Sequence, residues 1–219
     1  MTAGAARAAL TEAARAALCD AYRTLGRRGL MGGSSGNVSM RHEDGMLISP
    51  SGITPERIEP GHLVATGFDA PAPGASSEWA LHAALYRADP ARGAVVHTHA
   101  DACTALACLN EPLPAFHYMV AGFGGDDVRC APYATFGTAA LAETAAVAMR
   151  NRTACLLANH GMVAAGPTLE AAMAATLDLE MLAGQYLLAR SAGQPRLLSP
   201  AQMAAARKRF RTYGANAPA

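Results

Sequence analysis

The chain has 219 residues, 51% of them hydrophobic and 16% charged, with a formal net charge of +1. That length suits one substantial α/β domain and is tight for two, and the apolar share argues for a packed core rather than disorder. Near-neutral charge gives no electrostatic case for a nucleic-acid or membrane partner, and no apolar run reaches the roughly 20 residues that cross a bilayer. Residues 5–30 carry helical periodicity into Arg27-Arg28-Gly29, a basic last turn with a glycine stop. Glu12 and Asp20 interrupt this Ala- and Arg-rich stretch and no signal-like segment follows, so it reads as the first helix of a soluble protein.

Gly32-Gly33-Ser34-Ser35-Gly36-Asn37 is a loop, and Val38–Arg41 alternates like a short strand. His42-Glu43-Asp44-Gly45 is a hairpin signal, with Met46–Ile48 returning as the partner strand. Ser49-Pro50-Ser51-Gly52 makes a tight turn. Residues 69–77, with Pro71, Pro73, Gly74, Ser76 and Ser77, form a second loop that opens into a helix over Glu78–Ala88. After Asp89-Pro90 comes a strand ending in Val95-Val96-His97-Thr98-His99, followed by a helix near Ala100–Leu109. Residues 116–133 are expected to mix short strands with Gly122, Gly124 and Gly125. A helix around Thr138–Arg150 precedes the strand Ala154–Ala158, which delivers His160, and Met162–Gly166 reads as another strand. Thr168 caps a long helix to about Arg190, with Glu170 in its first turn, and Ser199-Pro200 opens a last helix. The pattern predicts one α/β domain over residues 1–219, a three-layer α/β/α fold around a largely antiparallel sheet.

Five cysteines (Cys19, Cys103, Cys108, Cys130, Cys155) show no CxxC spacing and are odd in number, so a reducing cytoplasm is the expected setting. Lysine occurs once, as Lys208 between two arginines. Schiff-base chemistry needs a desolvated lysine, so any carbonyl activation here falls to a metal. His97 and His99 share one face of their strand, and His160 ends a second apolar run. A lone histidine there would read as a satisfied polar residue. Two at alternate positions with a third before Gly161 favour a zinc site, since three imidazoles and one open position describe a catalytic centre. Glu78, at a helix start, could add a carboxylate contact; His82, one turn on, reads as a structural hydrogen-bonding residue. Gly36-Asn37, Ser51-Gly52 and Ser76-Ser77 are small-residue turns whose N–H groups and hydroxyls suit an anion, though each alone is an ordinary loop.

Gly36-Asn37-Val38-Ser39, Ser49-Pro50-Ser51-Gly52-Ile53, Ser76-Ser77-Glu78-Trp79, His97-Thr98-His99-Ala100 and Asn159-His160-Gly161 together resemble the class II aldolase/adducin family. The resemblance spans about residues 8–214. Pro114–Val120, Cys130–Thr138 and Phe210–Gly214 resemble its branch that cleaves fuculose 1-phosphate. Ser51 replaces a frequent threonine, and Asp101-Ala102 and Ala121-Gly122-Phe123 depart from that branch near where an aldehyde would be selected.

The resemblance implies that His97, His99 and His160 hold one Zn2+ per subunit. It implies that Glu78 ligates the metal until substrate displaces it and then carries a proton. Asn37, Ser51, Gly52, Ser76 and Ser77 would hold a substrate phosphate on a loop shaped by Gly36. Tyr118 would exchange a proton with the aldehyde oxygen, Tyr213 would close the site, and Phe136 would line the aldehyde pocket. The implied reaction is reversible retro-aldol cleavage of a ketose 1-phosphate, L-fuculose 1-phosphate or similar, to dihydroxyacetone phosphate and an aldehyde such as L-lactaldehyde. The implied assembly is a homotetramer with sites between subunits. Alternatives within the family are cleavage of 5-deoxyribulose or 5-methylthioribulose 1-phosphate, sugar-phosphate 4-epimerisation, 3-oxo-tetronate phosphate decarboxylation, and an adducin-like interaction module.

Overall fold

A computed structural model describes residues 3–210 and residue 212. Seven strands form one sheet: β1 (Asn37–His42), β2 (Gly45–Ile48), β3 (Val64–Thr66), β4 (Ala94–Thr98), β5 (Cys130–Ala131), β6 (Ala154–Leu157) and β7 (Gly161–Gly166). Their spatial order is β3-β2-β1-β4-β7-β6-β5, antiparallel throughout except for the β5–β6 pair. Six α-helices accompany them: α1 (Ala3–Arg27), α2 (Trp79–Ala88), α3 (Asp101–Ala107), α4 (Ala139–Ala148), α5 (Leu169–Ala192) and α6 (Pro200–Phe210).

Period-two alternation sends neighbouring strand residues to opposite faces. Val38, Leu47, Val96 and Ala164 join a buried cluster with Leu18 and Tyr22 of α1, Leu106 of α3 and Leu179 of α5. Ile48, Val95, Cys155 and Val163 join a separate cluster with Leu81 and Leu85 of α2 and Leu141 of α4. Each fully buried leucine or valine is worth about 1.5–3 kcal/mol against exposure, so both faces of the sheet contribute to stability. The central strands are buried along their whole length.

The hairpin forms where the turn residues predict it, with His42 paired to Gly45 and Glu43 in the left-handed region. Thr138 and Thr168 cap α4 and α5, accepting from the Leu141 and Ala171 backbone N–H groups. Elsewhere the chain departs from expectation. α2 starts at Trp79, leaving Glu78 at the cap. Residues 116–133 form a 3-10 helix over Tyr118–Phe123 and a two-residue strand, not several strands. His117 starts that turn by accepting the Met119 N–H, and Gly124, at φ 92°, ends it. The short edge strand β3 went unforeseen because Val64-Ala65-Thr66 carries no alternation long enough to register. All five cysteines are free thiols, and among the described residues no helix is long and apolar enough to cross a membrane.

Candidate active site

β4 carries His97 to its C-terminal end, and the turn from Thr98 into α3 presents His99 beside it. His160 comes from the tight connection between β6 and β7, where Asn159 takes a left-handed backbone and the His160 N–H donates to the Leu157 carbonyl at 3.0 Å. Gly161 is required there. A Cβ at that position would run into the Thr98 carbonyl oxygen across the β4–β7 pair and crowd the His99 ring.

The three imidazoles form a nearly symmetric triangle. Ring centroids lie 4.9, 4.8 and 4.8 Å apart, with planes tilted 72°, 70° and 70° to one another. Their ligand nitrogens lie within 4.8 Å of one another. His97 donates its Nδ1–H to the Met162 carbonyl at 2.8 Å, which leaves the Nε2 lone pair facing His99 Nε2 at 3.1 Å. A tetrahedral ion bound at about 2.0–2.1 Å needs nitrogens roughly 3.3 Å apart, so this pair stands at ligation spacing. The Met162 carbonyl acts as the outer partner that fixes a ligating histidine's tautomer.

Electrostatics favour the same use. Burial, then the proximity of His160 and His99, holds His97 well below its ordinary pKa, and burial lowers His99 as well. Burial followed by the His99 charge pushes His160 down to about 4. Near pH 7 all three therefore present lone pairs, as a metal requires.

Glu78 lines the same cavity but stands outside the imidazole cluster. Its Oε1 accepts the Gly137 backbone N–H at 3.1 Å, while its Oε2 is buried with no hydrogen-bond partner. Burial raises its pKa against the opposing pull of the Gly137 N–H. Three imidazoles with ligand nitrogens within 4.8 Å of one another are a donor set that fits a dication, and the buried donor-free Glu78 oxygen belongs to a residue lining the same cavity.

The cavity, about 410 Å³, also gathers Gly36, Asn37, Ser51, Gly52, Ser76, Ser77 and Phe136. Three turns from separate parts of the chain thus line one cavity. The Ser77 backbone N–H donates to Ser51 Oγ at 2.8 Å, tying two of them together, and the Glu78 N–H donates to Ser76 Oγ at 3.2 Å. Gly36 sits at φ 81° with an added Cβ only 2.8 Å from the His97 carbonyl, so the loop passes close to β4 only as glycine. Phe136, 65% exposed, and Tyr133, 62% exposed, stand at the rim.

One described residue expected in the site is not gathered there. Tyr118 does not line the cavity of its own chain; it is 54% exposed and stacks on Phe210 at 6.2 Å. Tyr213 lies outside the described residues. Conversely, Ser34, Ser35, Tyr133 and Asn159 line the cavity without having been singled out. Their signal in the sequence was membership of the segments around Gly36, Cys130–Thr138 and Asn159-His160-Gly161. His82 is fully buried behind the site, bonded to Asn37 and Ser39.

The chain belongs to the class II aldolase and adducin family: the model of the Class II Aldolase and Adducin N-terminal domain matches residues 16–187. Within that family it is a class II aldolase, an aldehyde-lyase. It is 46% identical over 208 residues to a 5-methylthioribulose-1-phosphate/5-deoxyribulose-1-phosphate aldolase of Rhodospirillum rubrum, covering 94% of both chains. It is 43% identical over 201 residues to the L-fuculose phosphate aldolase of Escherichia coli K12, covering 90% of this chain and 94% of that one. A solved L-fuculose 1-phosphate aldolase superposes with a TM-score of 0.86 at 37% identity, over 90% of this chain and 96% of that one.

Proposed function

We propose that this chain reversibly cleaves a ketose 1-phosphate to dihydroxyacetone phosphate and a small aldehyde. The carrying observation is the triangle of inward-facing imidazoles opening onto the same cavity as three hydroxyl- and amide-rich turns. Names of similar proteins point to two substrates, L-fuculose 1-phosphate and 5-methylthioribulose or 5-deoxyribulose 1-phosphate. Both share the end that the cavity would grip and differ in the aldehyde released.

In this reading His97, His99 and His160 hold one zinc ion per chain. When bound, it supplies Lewis-acid stabilisation of the negative charge that gathers on the ketose fragment as the carbon–carbon bond parts. Asn37, Ser51, Gly52, Ser76 and Ser77 grip the phosphate and turn binding energy into orientation of the reacting bond. Glu78 is the proton carrier and an additional contact to the metal. In the condensation direction it takes a proton from the hydroxymethyl carbon of dihydroxyacetone phosphate. Burial brings its pKa upward toward the working range of a general base, in support of that role. Phe136 lines the aldehyde pocket.

Tyr118 exchanges a proton with the aldehyde oxygen from a neighbouring subunit. Its exposure and its absence from its own chain's cavity support placement across an interface of a homotetramer, with Tyr213 closing the same site. The chain forms one domain over 1–219 in three layers, a proposal supported by the two buried clusters that alternate strand residues feed. Five free thiols support a reducing, cytoplasmic setting.

The test is a panel of ketose 1-phosphates differing at C5 and C6, read as coupled dihydroxyacetone phosphate release by zinc-loaded protein. L-Fuculose 1-phosphate and 5-methylthioribulose 1-phosphate should turn over, and the ratio of their kcat/KM values ranks them. Chelation should abolish both. Full activity after thorough metal removal would defeat the reading.

A further inference from the structure

Asn37 is one end of a line of four polar side chains that leaves the cavity wall and enters the packed interior. His82 Nε2 lies 2.5 Å from Asn37 Oδ1, and His82 Nδ1 lies 2.7 Å from Ser39 Oγ. Ser39 Oγ in turn lies 2.8 Å from the Tyr86 hydroxyl. Asn37 and Ser39 are alternate residues of β1, so they share a face; His82 and Tyr86 are one turn apart on α2 and meet them. Ser39 and His82 are wholly buried and Tyr86 is 1% exposed, so no solvent completes this line.

An asparagine turned one way shows a cavity two N–H donors, and turned the other way an acceptor. Only the first suits an oxyanion. Proton accounting along the line decides between them. Among the described residues Ser39 Oγ is the one hydrogen-bond partner within reach of the Tyr86 hydroxyl. Tyr86 therefore donates to Ser39, and Ser39 passes its own proton toward His82 Nδ1. That leaves the imidazole proton on Nε2, donated to Asn37 Oδ1. The reverse direction would bury the Tyr86 proton without an acceptor, which packed interiors disfavour. Burial also keeps His82 neutral, its pKa pushed down to about 3, so it can accept on one nitrogen while donating on the other.

We infer that His82, held by Ser39 and Tyr86, is a positioning residue that locks Asn37 with its amide N–H groups toward the cavity, making that wall selective for an oxyanion such as a phosphate ester. The inference deepens the proposed function and rests on its placing the substrate phosphate at this wall. His82 touches no substrate; it sets which face of Asn37 does.

The first experiment reads the tautomer directly. In zinc-loaded protein carrying 13C-labelled histidine, the His82 Cδ2 resonance, assigned by its loss in His82→Gln, should report the Nε2-protonated neutral form near pH 7. An Nδ1-protonated ring overturns the inference. The second uses inorganic phosphate as a competitive inhibitor. In Tyr86→Phe and Ser39→Ala, with metal content at the wild-type level, the phosphate Ki and the ketose phosphate KM should rise together by about three- to tenfold, with kcat falling less. Wild-type protein inhibited by phosphate, with unchanged Ki in both relay variants, overturns the relay alone. Wild-type protein indifferent to phosphate overturns the phosphate site itself, and this inference with it.

Discussion

Glu78 has one carboxylate oxygen engaged by the Gly137 N–H and the other buried without a donor. That asymmetry would let a single side chain serve both as an anchor and in the proposed proton transfer. Glu78→Gln keeps its volume and can still accept from Gly137, so zinc content should stay near one per chain. The rate should fall by about 10²–10⁴, the usual contribution of a positioned general base. Metal analysis together with steady-state kinetics separates those outcomes, and a near-normal rate would exclude Glu78 as the proton carrier. Its raised pKa sets the sign of the pH profile. A base must be deprotonated to act, so kcat/KM should climb with pH through the Glu78 inflection, which burial moves upward and a bound dication moves down. The inflection should vanish in the variant. The imidazoles were legible from the sequence because the alternation of His97 and His99 is local. Tyr133 and Ser34 were not, since only tertiary closure brings their loops to the cavity.

Among the elements, α3 starts two residues beyond His99 and depends on a residue far along the chain. Glu180 of α5 accepts the Ala102 and Cys103 backbone N–H groups through its two carboxylate oxygens, at 2.8 Å each. A carboxylate at a helix N-terminus satisfies otherwise orphaned donors and meets the positive end of the helix dipole. Glu180→Ala should cost about 1–2 kcal/mol in urea unfolding and weaken zinc retention on competitive chelation, because the turn that aims His99 loses its anchor. An unchanged metal affinity would show that β4 alone holds the ring in place. The elements with strong periodicity or caps, such as α5 behind Thr168, were readable from sequence. The 3-10 turn at Tyr118–Phe123 was not, because its stability comes from His117 capping and the left-handed Gly124 rather than from any repeating pattern.

Taken as a whole, the molecule keeps His82, His97, His99 and His160 neutral at a cost that depends on pH. All four have folded pKa values below their ordinary value near 6.5, so the unfolded chain binds protons first as pH falls. Stability contributed by these residues is therefore present above pH 6.5. It is lost progressively as pH drops toward about 4 for His160 and about 3 for His82. At about 1.4 kcal/mol per pKa unit, His82 alone should cost about 3 kcal/mol by pH 4. Metal-free protein should thus show a Tm that falls steeply between pH 6.5 and 4, read by calorimetry. Zinc loading should raise the Tm at neutral pH, because only the folded chain assembles the three rings. A flat acid profile would mean that these histidines are solvated. The α/β class and the largely antiparallel sheet were legible from the order of apolar runs, while the pairing of β1 with β4 was not, since antiparallel register between distant strands leaves no trace in local composition.

That pairing sets Asn37 directly opposite His97, and residues facing each other across an antiparallel pair project to the same side. The spacing of adjacent strands, about 4.8 Å, then becomes a ruler between the proposed anion grip and the proposed metal trio. A ligand can satisfy both ends only if its phosphate and its oxygen-bearing carbon are close neighbours. Ketoses phosphorylated at the far end of the carbon chain should accordingly fail to compete with those phosphorylated at carbon 1.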